Sequence, residues 1–145
     1  MTLPMPEPGM VIRYAYLWAR EAQGGREEGR KDRPCAIVLT LSGGAGPTRV
    51  VVLPITHVPP NDPRMAIEIP HRTKERLGLD WQRSWIVVTE YNDFVWPGPD
   101  LRPTPGQGGQ SVLLGSLPPD LLKRAQKLFA ANMRLGKAAR VLRTE

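Results

Sequence analysis

Two short apolar, β-branched runs set the pattern of the chain. They are Asp32-Arg33-Pro34-Cys35-Ala36-Ile37-Val38-Leu39 and Val50-Val51-Val52-Leu53-Pro54-Ile55-Thr56. Each predicts a buried strand. Between them, Ser42-Gly43-Gly44-Ala45-Gly46-Pro47 has the composition of a turn, so the simplest arrangement is an antiparallel pair. An antiparallel pair joined at one end brings its two outer ends together. Arg33 opens the first run and Thr56 closes the second, so a guanidinium and a hydroxyl should meet at one edge of a small sheet.

The remaining segments are read by the same periodicities. After a proline-rich lead-in ending at Pro8-Gly9, Met10 to Trp18 alternates as a strand, with Met10, Ile12, Tyr14, Tyr16 and Trp18 on one face. Ala19 to Asp32 is polar, glycine-bearing and charged with both signs, which predicts a long surface loop. His57 to Pro63 carries three prolines and reads as a second loop. Met65 to Ile69 alternates as a short strand. His71 to Gly78 suits one or two helical turns, and its basic residues read as solvated surface. Ser84 to Tyr91 predicts another strand, which Phe94 to Trp96 continue after a bulge or turn. Ser111 to Leu114 predicts the last strand. From Pro118 a helix is expected, with Ser116 as its N-cap and Leu121, Ala125, Leu128, Phe129 and Asn132 on one face. Gly136 breaks it and leaves a basic extension from about residue 133, with Lys137, Arg140 and Arg143. These elements predict one mainly β domain over residues 1–145, a small barrel-like antiparallel sheet closed or covered by a C-terminal helix.

Composition narrows the class of partner. The formal charge of +6 over 145 residues favours a polyanion or an acidic protein. One cysteine excludes an internal disulfide and any cysteine-rich metal site, and Cys35 reads as a small buried hydrophobe. The N-terminus lacks the basic-then-apolar pattern of a signal peptide, and no apolar window approaches the roughly 20 residues of a membrane helix. A cytoplasmic protein with no membrane partner is expected.

No paired-carboxylate signature, phosphate-cradling glycine motif or metal-ligand spacing stands out, so no cofactor or metal is expected. Arg33 can make bidentate contacts with a phosphate and stabilise charge that builds on its oxygens. Thr56 can donate to the same group, and His57, next in sequence, is a possible proton shuttle. Arg13, Arg30 and Lys31 can hold a nucleic-acid backbone, and an aromatic such as Trp96 can stack an unpaired base. A 2′-hydroxyl nucleophile, present in RNA and absent from DNA, would make a metal unnecessary. Composition alone does not separate this role for Arg33 from a structural one, in which it serves a neighbouring carbonyl or Asp32.

The order of these motifs resembles the MazF/PemK family of toxins from bacterial toxin–antitoxin pairs. Pro8-Gly9-Met10-Val11-Ile12 leads into a strand and a charged, glycine-bearing loop follows. Arg33-Pro34 opens the next strand, and Val51-Val52-Leu53-Pro54-Ile55-Thr56 matches a later family stretch. Val87 to Asn92 and Gly115 to Phe129 are similar more weakly. The resemblance implies an SH3-like or CcdB-like barrel that forms a homodimer. It implies a metal-independent, sequence-specific endoribonuclease that cleaves single-stranded RNA by 2′-hydroxyl attack and is neutralised by a cognate antitoxin. On that resemblance Arg33 and Thr56 are the catalytic pair, and loop 19–32 gates the RNA groove. The chain departs from the family pattern at Gly24 to Gly29, His71 to Arg83, Glu90 to Asp93 and beyond Asn132. Two other classes fit the residues. One is a non-catalytic nucleic-acid-binding domain. The other is a toxin with a protein target such as gyrase, with the C-terminal helix and tail as its working surface.

Overall fold

The computed structural model describes residues 3–25, 32–42, 44–104 and 111–143. In chain order its elements are β1 (Met10–Tyr14), α1 (Ala19–Gln23), β2 (Arg33–Ser42), β3 (Thr48–Thr56), β4 (Ala66–Glu68), α2 (His71–Arg76), β5 (Trp85–Val87), β6 (Glu90–Val95), β7 (Leu113–Ser116), α3 (Pro119–Arg134) and β8 (Ala139–Leu142). The predicted hairpin forms: β2 and β3 are antiparallel, with Cys35 opposite Pro54 and Ser42 opposite Thr48. β1 pairs on the outer edge of β2 and β7 on the outer edge of β1, both antiparallel.

The barrel expected from the sequence does not form. The eight strands make an open, mixed α/β arrangement that runs β4-β5-β3-β2-β1-β7, with β6 and β8 branching from β3. The cause is the length of β3. Arg49 to Val52 pair with β6, while Ile55 and Thr56 pair with β5. One edge of β3 therefore serves two strands, the sheet forks there, and β4 and β7 end it with no bridge between them. The Ser84 to Tyr91 run is accordingly two strands, broken at Val88 and Thr89. Nor is the sheet wholly antiparallel. The expected basic extension folds back as β8, parallel to β6, with Glu90 opposite Ala139 and Asp93 opposite Leu142.

Alternation along β2 splits the core into two layers. Ala36 and Val38 join Val11, Val51, Leu53 and Ile55 beneath Leu121, Ala125 and Phe129 of α3. Cys35 and Ile37 join Ile12, Tyr14, Tyr16, Val50, Val52 and Phe94 on the other side. Both faces are thus buried, which is why the strand reads as a nearly continuous apolar run. Val38 is skipped in the ladder, since Ile37 pairs with Val52 and Leu39 with Val51. Its carbonyl accepts instead from Gln126 Nε2 of α3 at 3.0 Å.

α3 begins without the expected Ser116 cap, because Ser116 belongs to β7. Extended Pro118 stands at the N-cap and Pro119 opens the helix, where a missing N–H costs nothing and φ is already suitable. The buried stripe Leu121, Ala125, Phe129 and Asn132 matches the expected face, while Leu128 is only partly buried. Asn132 brings a polar group into the core and donates to the carbonyls of Arg64 and Val88 at 3.0 and 3.2 Å. Among the described residues, no helix is long and apolar enough to cross a membrane.

Candidate functional site

The geometry expected of Arg33 and Thr56 is present. Continuing the pairing of Cys35 with Pro54 by two residues sets Arg33 opposite Thr56. Arg33 Nη1 donates to the Ile55 carbonyl at 3.4 Å, while its Nε is buried without a hydrogen-bond partner among the described residues. The Thr56 hydroxyl oxygen accepts the Val58 N–H at 3.2 Å, which leaves its own hydrogen available to donate.

An aromatic ring completes this edge, but it is not Trp96. The strand expected from Met10 to Trp18 stops at Tyr14, opposite Arg33, and the next residues run past the start of β2. Asn92 on β6 holds them, accepting the Leu17 N–H at 2.9 Å and donating to the Leu17 carbonyl at 2.7 Å. Arg143 Nη1 donates to the Ala15 carbonyl at 2.8 Å. The Glu90 carboxylate accepts from the Tyr16 hydroxyl at 3.1 Å and the Ala19 N–H at 2.9 Å. Burial pushes the Glu90 carboxyl above the usual carboxylate range, against the pull of those two donors. With residues 15–19 fixed, the Trp18 ring lies 4.8 Å from the Arg33 guanidinium carbon and 5.2 Å from that of Arg20, within cation–π range.

Two cavities flank the Arg33–Thr56 edge and share Arg33, Thr56 and His57. One, of about 480 Å³, adds Trp18, Arg20, Asn61 and Thr89 over an apolar wall of Val58, Pro59 and Met65. The other, of about 320 Å³, adds Arg13, Asp32, Asp80 and Ser84. His57 Nε2 lies 2.9 Å from an Asp80 carboxylate oxygen. The same carboxylate takes the ammonium of Lys74 at 2.8 Å. Lys74 also donates to the Gln82 carbonyl and is itself buried. The Lys74 hydrogen bond holds the Asp80 carboxyl below the usual range. A buried cation thus orients a carboxylate, and the carboxylate orients an imidazole at the mouth of both cavities.

Of the residues singled out in the sequence, Arg33, Thr56, His57 and Arg13 line one or both cavities. Arg13 faces Asp32 at 3.6 Å, and Arg102 shares that carboxylate at 3.4 Å. Trp96 lines neither cavity; it packs against Phe94 beside the second core layer. Arg30 and Lys31 lie outside the described residues. The surface loop expected over 19–32 begins instead as a helical turn, α1, and residues 26–31 lie outside the described part. Lys74, expected as solvated surface, is an internal strut. Arg140 and Arg143, expected in a basic tail, have internal partners: Asp93 at 2.9 Å, and Asp100 at 2.9 Å with the Asn92 side chain at 3.0 Å. Cys35 is buried, and desolvation drives its thiol pKa upward against the pull of Arg33 and Arg143.

The reading of the sequence missed Trp18, Asp80 and Lys74 as site residues. Trp18 had a signal: it ends the alternating Met10 to Trp18 run and immediately precedes the connection back to Arg33. Asp80 had none, since it meets His57 across 23 residues. Among the described residues, no group of three or more His, Cys, Asp or Glu side chains gathers to hold a metal ion. The arrangement can bind an anion between a guanidinium and a hydroxyl and move a proton through a carboxylate-held imidazole. No family model matches this chain, and no curated protein matches it significantly.

Proposed function

We propose that this protein is a metal-independent, sequence-specific endoribonuclease that acts on single-stranded RNA by 2′-hydroxyl attack. One observation carries the reading: the Arg33 guanidinium stands opposite Thr56, its Nε without a hydrogen-bond partner among the described residues, beside cavities that open on two sides. The scissile phosphate sits between Arg33 and the Thr56 hydroxyl. The 2′-oxygen attacks phosphorus while its proton passes to the His57 imidazole, which Asp80 holds. The P–O5′ bond breaks, the leaving oxygen takes a proton from solvent, and the products carry a 2′,3′-cyclic phosphate and a 5′-hydroxyl. Arg33 stabilises the added charge on the phosphoryl oxygens. The two cavities receive the bases on either side of the cut, and Trp18 walls one of them.

The ordered resemblance to MazF/PemK toxins supports the same reading; the barrel it implied is no part of it. With it come a growth-inhibiting role in the cytoplasm, a protein antitoxin and a homodimer. Leu39, Leu41 and Leu142, exposed on the sheet, favour a second copy as a partner.

The test is incubation of purified protein with mixed-sequence single-stranded RNA in EDTA, followed by sequencing of the product ends. Cuts at one short motif with 5′-hydroxyl ends, absent with Arg33→Ala, are expected. Intact RNA from folded protein, or equal cutting by Arg33→Ala, would overturn the proposal.

A further inference from the structure

A third concavity, of about 680 Å³, lies between β4 and α3. Its apolar surface comes from Ile67, Trp85, Leu128 and Ala131, and Arg124, Lys127 and Arg134 stand along its α3 wall. These cations recur at helical spacing on one stripe. Among the described residues, no carboxylate pairs with any of the three. The one acid lining the groove, Glu68, is held by Arg83 through two 2.7 Å hydrogen bonds.

The other wall is the terminal strand of the sheet, with Glu68 exposed and Ala66 mostly covered. β4 ends the pairing order and, among the described residues, pairs with β5 alone. The Met65 carbonyl accepts from Val88, and the Ile69 N–H donates to Ser84. Antiparallel alternation then directs Met65, Ile67 and Ile69 toward β5, and the N–H and C=O groups of Ala66 and Glu68 away from it. Consecutive residues of a strand face opposite sides. Ala66, Ile67 and Glu68 nevertheless all line the groove, so the groove meets β4 at its edge.

We infer that this groove binds an extended acidic peptide segment of a partner protein, added as a strand along β4. The main chain of the peptide bonds Ala66 and Glu68, its alternate apolar side chains cover Trp85 and Leu128, and its carboxylates face Arg124, Lys127 and Arg134. A nucleic-acid backbone would match the three cations but would leave the strand-edge carbonyls and the apolar surface unused. The inference stands apart from the proposed RNA chemistry: Ala66 also lines the cavity beside Trp18, but Arg124, Lys127, Arg134, Trp85 and Leu128 do not.

The probe is a fluorescein-labelled peptide of alternating glutamate and valine, about ten residues long, enough to span a short strand edge. Its binding to the full chain is followed by fluorescence anisotropy, with a lysine–valine peptide as control. Saturable binding of the acidic peptide alone is expected. Arg124→Glu combined with Lys127→Glu should weaken it at least about tenfold. Glu68→Pro removes an outward N–H, which an edge strand tolerates, and should weaken binding well beyond Glu68→Ala. In the unaltered protein, amide exchange at Ala66 and Glu68 should slow when the peptide is added, a readout independent of how the variants fold. Absence of binding, no slowing at those amides, or equal affinity for a single-stranded oligonucleotide that displaces the peptide would overturn the inference.

Discussion

Asn92 is where the fold and the candidate site can be tested by one substitution. Its side chain is fully buried on β6. It accepts the Leu17 N–H at 2.9 Å, donates to the Leu17 carbonyl at 2.7 Å and accepts Arg143 Nη1 at 3.0 Å. The amide thus does for residues 15–18 what a neighbouring strand would do. Asn92→Ala strands two neutral backbone groups and one guanidinium N–H. At about 1 kcal/mol for each neutral bond and about 2 for the charge-assisted one, the expected loss is about 4 kcal/mol. For a domain of this size that lowers Tm by roughly 10–15 °C. Asn92→Asp keeps both acceptor roles and strengthens the one toward Arg143, but it replaces the donor to Leu17 by an oxygen that faces the Leu17 carbonyl, so about 2–3 kcal/mol is expected, short of the alanine loss. Urea unfolding followed by tryptophan fluorescence measures both variants, and unchanged m-values would show that the same surface unfolds. RNA cleavage should fall with Asn92→Ala even well below the unfolding transition, because Trp18 is no longer held against Arg33. A loss under about 1 kcal/mol for Asn92→Ala, or equal losses for the two variants, would refute the account of how this segment is held.

Trp18→Ala should weaken single-stranded RNA binding by about 1–3 kcal/mol in a filter or anisotropy assay, whereas Trp96→Ala should lower stability and leave affinity unchanged. The Asp80 carboxyl has a folded pKa below its unfolded value. Its contact with Lys74 therefore contributes stability above the unfolded aspartate range and loses it as pH falls through the lowered folded value. An acid titration of unfolding midpoints should show that segment for the native chain and not for Asp80→Asn. The Cys35 thiol, buried and with its ionisation suppressed, should ignore an aromatic disulfide reagent until the chain is unfolded in urea. Reaction at the rate of a free thiol in the folded protein would contradict its burial.

The periodicities of the chain determined the β2–β3 hairpin, and through it the meeting of Arg33 with Thr56. A local turn between two apolar runs folds them back as a hairpin, and antiparallel pairing then brings their outer ends to one edge. The helical stripe of Leu121, Ala125, Phe129 and Asn132 was legible for the same reason, since its period is set by local backbone geometry. Only the tertiary structure decided where β3 directs its outer edge. Giving it to both β5 and β6 opened the sheet that a count of antiparallel strands would have closed. The Asp80–His57 contact and the return of Arg143 to Asn92 and Asp100 also lay beyond the sequence. Each joins residues far apart in the chain, and no local pattern encodes a buried charge whose partner arrives from another element. Arg143 looks like part of a solvated tail because an arginine shows its charge in the sequence, while the Asp100 carboxylate that draws it inward is found only once the chain has folded.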